Sequence, residues 1–500
     1  MGLLSKLFAP KAEPERPLPS EQYEQIARRR VGVMLLRGTY DAAQTIDDNA
    51  YHWKGTDALS ADRANSFSVR KTLRERSRYE LSNNCFARGI VDTHANYVVG
   101  TGPRLQMLSA DKTRNTEIEQ RWHIWAATID LASKLRTLQV ARDGDGEGFG
   151  QIITNPGLPL EEQLDVQLVE CDRVSSPSLD LDPNNVDGVL LDEHGNPVSY
   201  TVAKSHPGGP AATIGEYETV RADWMVHWFR RARPEQHRGI PTTTPALPLF
   251  AVLRRFVLAT LGAAEGAANI GGVLYTDAPP GGEAEEGQAF DLIPTSRNML
   301  MSLPYGWKLT QLAAQHPNTQ FREFIRCILN ECGRPFHMPI NVVLGDSSQH
   351  NFASGRLDQR TYFTHVAIEQ HEMGLRAVDK IFSAWLRLAR RYYVWPELKT
   401  LPLHRWLWDK PEPVDEVKAA KGQRERLRIG TSTIPDEWAA KGLDHEPAHE
   451  RGAEALGVSL EEYRALLRRG IFGNEKENAA EAAAEAAEEA IQEAVNHALP

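Results

Sequence analysis

One long helical stretch constrains this chain more than any other feature. Thr244 can cap a helix whose first residue is Pro245, because a proline there gives up an N–H that would have had no intrahelical partner. Apolar or small residues recur at Phe250, Leu253, Val257, Leu261, Ala264 and Ala268, until Gly271 and Gly272 stop the pattern. From Pro245 to Ile270 the helix would reach about 39 Å at about 1.5 Å per residue, longer than one ordinary domain needs. Its second half turns to small residues around Gly262 and Gly266, which cost helix propensity but let neighbouring backbones come close. Arg254, Arg255, Glu265 and Asn269 interrupt the run, so no unbroken apolar stretch of about 20 residues survives and a membrane span is not expected. Taken alone, the segment reads as a core helix of a large α-rich protein.

Composition narrows the class. The chain has 500 residues, room for about two to four domains. Its formal charge of −10 argues against tight wrapping of nucleic acid, an affinity that comes from Lys and Arg displacing counterions. It does not exclude a surface that DNA must pass without sticking. Cys85, Cys171, Cys327 and Cys332 are too few and scattered for a disulfide framework or a paired CxxC metal site, which points to a reducing compartment. The first residues are too short in apolar length for a secretory leader, and Lys6 stands where myristoylation takes Ser or Thr, so a cytosolic product is expected.

Along the chain, residues 1 to about 60 read as a poorly packed arm with a basic cluster at Arg28, Arg29 and Arg30. An Arg-rich helix is predicted from Asp62 to Leu81, then a second capped by Ser82 and ending at Gly100. Trp122 to Thr137 reads helical. The stretch from Asp143 to Gly150 has the glycines of a phosphate loop but no Lys, and its acids would repel phosphate, so a turn into a hairpin is expected. Short strands follow, at 151–153, 166–169, 189–191 and 198–202. Beyond the long helix, strands are predicted at 271–275 and 298–301, a helix from Thr319 to Cys332, a polar loop from Leu344 to Phe352, and a long helix from Ser354 to Tyr393. Short helices fill 414–472, and the Ala-Glu tail from Asn474 reads as a solvated helix. The whole is α+β, predominantly α.

One local pattern raises an enzyme hypothesis. His445-Glu446-Pro447-Ala448-His449 fits H-E-x-x-H, in which two histidines hold zinc and the glutamate activates water, as in a metallopeptidase. Pro447 would break a continuous helix, and Asp444 looks like its cap, so His445 falls in a first turn rather than in a rigid interior. His365 and His371 are six apart, off a shared helical face. No cofactor and no metal is expected.

The order of segments carries more than any catalytic motif. Ser82 through Gln106, Val166 to Val174, Gly188 to Tyr200, His227 with Arg233 to Pro241, and Leu344 to Ser354 follow one another in the order and spacing that resembles the lambda-type portal proteins of tailed bacteriophages. The similarity runs from about Arg74 to Leu460. Where the family usually has Tyr-Ser after the loop asparagine, this chain has Phe352-Ala353, and the acidic tail is its own.

The resemblance implies a ring, usually of twelve subunits, at one capsid vertex. A terminase large subunit would drive double-stranded DNA through it, a head-tail adaptor would join it to the tail, and capsid or scaffold proteins would surround it. The protein would be no enzyme; ATP hydrolysis would belong to the motor. It would be assembled in the host cytoplasm and carried in the virion, with no membrane partner. The family layout implies an arm over 1–61, an α/β wing over 62–242, a descending stem helix over 243–270, a clip over 271–317 and an ascending stem over 318–335. The tunnel loop and long wing helix would occupy 336–405, the helical crown 406–473 and the tail 474–500. Ser347, Ser348, Gln349, His350 and Asn351 would then face DNA, and Gly262, Gly266, Arg254, Arg255 and Glu265 would pack the stem. Glu283, Glu285, Glu286 and Asp291 would face partners of the clip.

Overall fold

The computed structural model describes residues 51–176, 182, 184–210, 216–269, 273–276, 307–310, 321–348, 352–393, 395, 401–410 and 415–472. The chain divides into a unit ending at Ser60 and a larger one beginning at Ala61. In the first, a short 3-10 turn at His52–Gly55 sets the His52 and Trp53 rings edge to face, 4.7 Å apart.

The larger unit is mostly helical with small antiparallel sheets, an α+β architecture. It opens with α1 (Ala61–Ala64), α2 (Phe67–Asn83) and α3 (Cys85–Val99). The cap of α3 is Asn84, two residues beyond the predicted Ser82, because α2 stays helical through Asn83. The extended backbone of Asn84 lets its side chain accept from the N–H groups of Phe86 (3.1 Å) and Ala87 (3.4 Å), a cap worth about 1 kcal/mol. After β1 (Arg104–Met107), the predicted single helix is two, α4 (Lys112–Thr128) and α5 (Leu131–Asp145), hinged at Ile129-Asp130. Trp122 and Trp125 sit at adjacent turns of α4 with ring centroids 4.9 Å apart, and Trp125 donates its indole N–H to the Leu164 carbonyl at 2.9 Å.

The strand region follows. A three-stranded antiparallel sheet has β2 (Glu147–Thr154) between β3 (Leu164–Val169) and β8 (Met225–Phe229). A four-stranded sheet runs in order through β4 (Asn185–Val186), β5 (Val189–Leu191), β6 (Pro197–Ala203) and β7 (Tyr217–Arg221). Phe149, Val169, Cys171, Val189, Tyr200, Val202 and Met225 form one apolar cluster spanning the two sheets. The second half contributes α6 (Leu247–Asn269), β9 (Val273–Thr276), β10 (Trp307–Thr310), α7 (Phe321–Gly333) and α8 (Ile340–Leu344). A continuous rod follows: α9 (Phe352–Met373), a π turn (Gly374–Val378) and α10 (Asp379–Tyr392). Then β11 (His404–Leu407) pairs back on β1, and α11 (Glu416–Arg428), α12 (Ile434–Ala440), α13 (His445–Leu456) and α14 (Leu460–Phe472) complete the described chain. The rings of Trp122, Phe382, Trp385 and Trp406 lock α4 to α10 and β11, with centroids 5.2–5.5 Å from Trp122.

The stretch from Asp143 to Gly150 is not the expected turn. Helix α5 continues through Asp145, Gly146 takes a left-handed φ of 97°, and β2 begins at once with Glu147. The acids there are core partners, not solvent-facing turn residues: Asp143 and Glu147 are both fully buried. Arg238 reaches Glu147 with its Nε (2.9 and 3.0 Å) and Nη2 (2.6 Å), while its Nη1 bonds the carbonyls of Val174 and Asp187. Backbone approach makes this possible. A Cβ on Gly239 would lie 2.0 Å from the Gly146 carbonyl oxygen, and the Gly239 N–H donates to Glu147 at 3.0 Å. Arg74 joins from α2, bonding Glu147 and Asp172, and Arg78 binds Asp145 and Asp172.

His227 completes the cluster. Its ring is stacked between Phe149 and Phe229, 4.3 Å from each; Nε2 donates to Glu147 (3.0 Å), which leaves Nδ1 to accept from the Tyr200 hydroxyl (3.4 Å). Burial pushes its pKa down to about 4 despite the adjacent carboxylate. Burial works the other way on Glu147, but Arg238 and the hydrogen bond from His227 outweigh it and hold the carboxyl well below the usual range.

Two outcomes follow from this cluster. Gly239→Ala forces the backbone away from Gly146 and loosens the Arg238–Glu147 pair, so a loss of about 3 kcal/mol or more is expected in urea unfolding. Because the folded His227 refuses a proton that the unfolded chain accepts, its contribution is complete above pH 6.5 and lost as pH falls toward 4. The whole loss is at most about 3 kcal/mol. Glu147 is held lower still, so the difference in unfolding midpoints between parent and His227→Gln from about pH 6.5 to about 4.5 reports the histidine: the variant should fall less steeply there than the parent.

Candidate functional site

The region that sequence singled out is built on α6 and α7. The cap at Thr244 does not form; Thr244–Ala246 make a 3-10 turn and the α-helix proper begins at Leu247. Leu247 is buried, and Phe250 and Leu253 anchor the start of the helix in the main core. Beyond them the helix leaves the core. Val252 is 46%, Leu258 58% and Leu261 56% exposed, and Ala251, Arg255, Ala259, Gly262, Ala263 and Glu265 lie on the surface with them. Helix α7 returns beside it, with Leu329 and Cys332 near its end back in the core, so the two run antiparallel. Phe256 holds them together, stacked on Phe321 at 5.6 Å and edge to face with Phe324 at 5.0 Å.

By length and mean hydropathy the stretch Thr244–Glu265 would be long enough to cross a bilayer, with 22% of its most apolar window buried within the chain, but Arg254 and Arg255 still interrupt the run. The charges lie at mid-helix, where each arginine would cost about 2.5–3.5 kcal/mol in a bilayer centre. Arg254 is committed to protein, its guanidinium over the Tyr79 ring at 5.5 Å and bonded to the hydroxyl at 3.3 Å, whereas Arg255 is exposed. A Cβ on Gly262 would meet nothing within 4 Å, so nothing among the described residues calls for glycine there. The side chains beyond Glu265, including the position of Gly266, lie outside the described residues.

At the far end of α7, the polar loop starts from α8. Gly345 closes α8 with a left-handed φ of 62°, and Asp346 turns the chain by accepting from the Ser348 N–H at 2.9 Å. That bond, with Arg322 of α7 3.3 Å from the other oxygen, holds the Asp346 carboxyl below its ordinary pKa. Ser347 and Ser348 are exposed. Gln349, His350 and Asn351 lie outside the described residues. So do Glu283, Glu285, Glu286, Asp291 and the strand predicted at 298–301; of that lobe the described part is the antiparallel pair β9–β10, where the Lys308 ammonium lies 6.0 Å over the Tyr275 ring.

The H-E-x-x-H pattern is occupied by structure. Asp444 accepts from the Glu446 N–H at 3.1 Å and starts α13, and Pro447, in the first turn, leaves the helix unbroken. Glu446 is bound to Lys112 of α4 at 2.7 Å. His449 is buried, with the His445 ring nearly perpendicular to it at 5.7 Å and Trp438 and Tyr463 packed around it. A zinc peptidase built on His445, Glu446 and His449 would need two converging imidazoles and a free glutamate, and this segment has neither. The pair that does share a helical face is His365 with Glu369, four apart on α9, and that spacing was the signal available in the sequence.

Residues 49–370 match the family described as phage portal protein, lambda family. A probable portal protein of Halomonas phage phiHAP-1 is 25% identical over 522 residues, which span 94% of each chain. Among solved structures, the neck of a native GTA particle computed with C12 symmetry shares 15% identity over 75% of this chain and 93% of that one, with a TM-score of 0.44. The virion of a native gene transfer agent particle has the same identity and coverage at a TM-score of 0.41. With the peptidase reading gone and most of the sequence matched, the chain belongs to the lambda family of phage portal proteins, which are structural proteins and not enzymes.

Proposed function

We propose that this portal protein closes into a ring, with twelve copies as the expected number, at one vertex of the capsid, and that DNA is packaged, retained and ejected through its centre. The observation that carries the reading is the exposed apolar face of α6. Leu258 and Leu261 stand free in a single chain, and in a ring the same faces would meet copies on either side. Helices 243–270 and 318–335 would be the stem, 271–317 the clip, 62–242 with 336–405 the wing and tunnel loop, and 406–473 the crown. The terminase large subunit and the head-tail adaptor would dock at the clip, whose acidic residues Glu283, Glu285, Glu286 and Asp291 are the candidates. Capsid and scaffold proteins would surround the wing.

The loop from Ser347 to Asn351 suits a moving polyanion. It carries no Lys or Arg, so its polar groups can touch phosphates by weak hydrogen bonds without gripping them. The formal −10 of each chain acts in the same direction.

Sedimentation of the purified chain should show a closed oligomer, and a 55.9 kDa species alone at every concentration, with and without capsid partners, would refute the ring. Gly262→Leu with Gly266→Leu should impair closure more than Gly→Ala at both positions, measured by the ring fraction on gel filtration; equal assembly would turn these glycines toward solvent. Replacing 347–351 with a Gly-Ser linker should leave ring closure intact and lower the DNA packaged per particle, and normal infectious yield would take the loop out of the DNA path.

A further inference from the structure

Below the polar loop, α3 and α9 bring three donor groups together in a place that neither the portal reading nor the sequence motifs use. A ring nitrogen from each of His94 and His365 and a carboxylate oxygen of Glu369 lie within 4.8 Å of one another. His94 is fully buried, and its Nδ1–H donates to Asp143 at 2.8 Å, since a carboxylate can only accept. Asp143 is fixed in turn by Thr242 (2.9 Å) and Gln139 (3.1 Å). The His94 Nε2 therefore faces inward, 3.5 Å from one Glu369 oxygen and without a hydrogen bond. The His365 Nε2, also buried and without one, faces the other oxygen at 3.2 Å.

Glu369 cannot turn away to relieve this. Arg142 holds both of its oxygens at 2.6 Å, and Gln139 adds a third bond at 3.2 Å. Two imidazole nitrogens and a carboxylate thus converge, with no proton donor aligned between them, in a pocket walled by Phe336 and Tyr362. Lone pairs held face to face in a dry interior repel unless a positive charge lies between them. Arg142 balances one of the two buried carboxylates, Asp143 and Glu369, so one negative charge is left without a cation beside it.

We infer that His94, His365 and Glu369 are the ligands of one divalent transition-metal ion of the zinc or cobalt class, with Asp143 orienting His94 from behind. Metal–ligand bonds of about 2.0–2.1 Å in tetrahedral array put ligand atoms about 3.3 Å apart, and the two nitrogen–oxygen separations, 3.5 Å to one carboxylate oxygen and 3.2 Å to the other, are of that size. Two imidazoles and a carboxylate are a donor set that such ions take, and a carboxylate behind a ligating histidine is the usual support. The ion would cross-link α3 to α9 upstream of the π turn.

The test uses the full chain, stripped with a chelator and checked for folding by circular dichroism, then titrated with Co2+. One equivalent per chain should bind, with visible ligand-field bands that Zn2+ abolishes. His365→Ala, at a partly accessible position, should weaken binding at least about tenfold, while His445→Ala, in the unrelated helical pair, should leave it unchanged. A folded chain that takes up no stoichiometric Co2+, or uptake undiminished in His365→Ala, would overturn the site and leave a proton on His94 as the missing charge.

Discussion

The buried pair Glu147–Arg238 is the interaction on which the β-rich half depends. A charge taken from water into a protein interior costs several kcal/mol and is tolerated only when its partner and remaining hydrogen-bonding capacity are supplied. Here they come from far apart in the chain: Arg74 from α2, Glu147 from β2, the carbonyls of Val174 and Asp187 from two loops, His227 from β8, and the Gly239 N–H. Each of those segments must be in place before any is satisfied, so the cluster specifies the tertiary arrangement more than it adds net stability. It also explains the scattered resemblance. The stretches 166–174, 188–200, 227 and 233–241 look like separate weak motifs, yet His227 and Arg238 bond the Glu147 carboxylate directly, and Asp172 and Tyr200 join it through Arg74 and His227.

What was legible in the sequence was what local patterning controls. Alternation and turn residues placed β3, β5 and β6, and helical spacing placed α6, α7 and the rod of α9 and α10. Errors arose where long-range contacts overrule local preference. Asp143 and Glu147 looked like solvated turn residues because their partners, His94 and Arg238, lie about 50 and 90 residues away. Thr244 looked like a side-chain cap, but the chain enters α6 through a 3-10 turn that makes no such bond. Within the candidate site, the amphipathic strut and the polar loop could be read directly, whereas the convergence of His94 with His365 and Glu369 could not, since periodicity carries no information about which helices meet.

The exposed face of α6 has a different character from the rest of the surface. The main core is filled by large aromatic rings in mutual contact, and it needs no neighbour to complete it. The strut is the reverse: well anchored by Phe250 and Leu253, then bare from Val252 to Leu261 on one side. Arg254 spends its charge on Tyr79 of the same chain, so the side left open is apolar with Arg255 as its cation. Such a face gives association through shape and apolar area with little long-range steering.

The π turn at Gly374–Val378 has a mechanical consequence. It abuts β11 through Gly374 and Trp406, and Lys380 just beyond it is pinned to the carbonyls of Ala222 and Met225, so α10 is the fixed arm of the rod. The 22 residues of α9 run about 33 Å from the polar loop to this turn, and their C-terminal half is seated on α3, with the Tyr362 ring edge to face on Tyr97 at 5.6 Å. Arg142 grips α9 at Glu369, about 8 Å before the turn. The rod is therefore held by a buried charged contact on each side of its turn, Arg142 on Glu369 before it and Lys380 on two carbonyls after it, so a bend at the turn would have to break one of them.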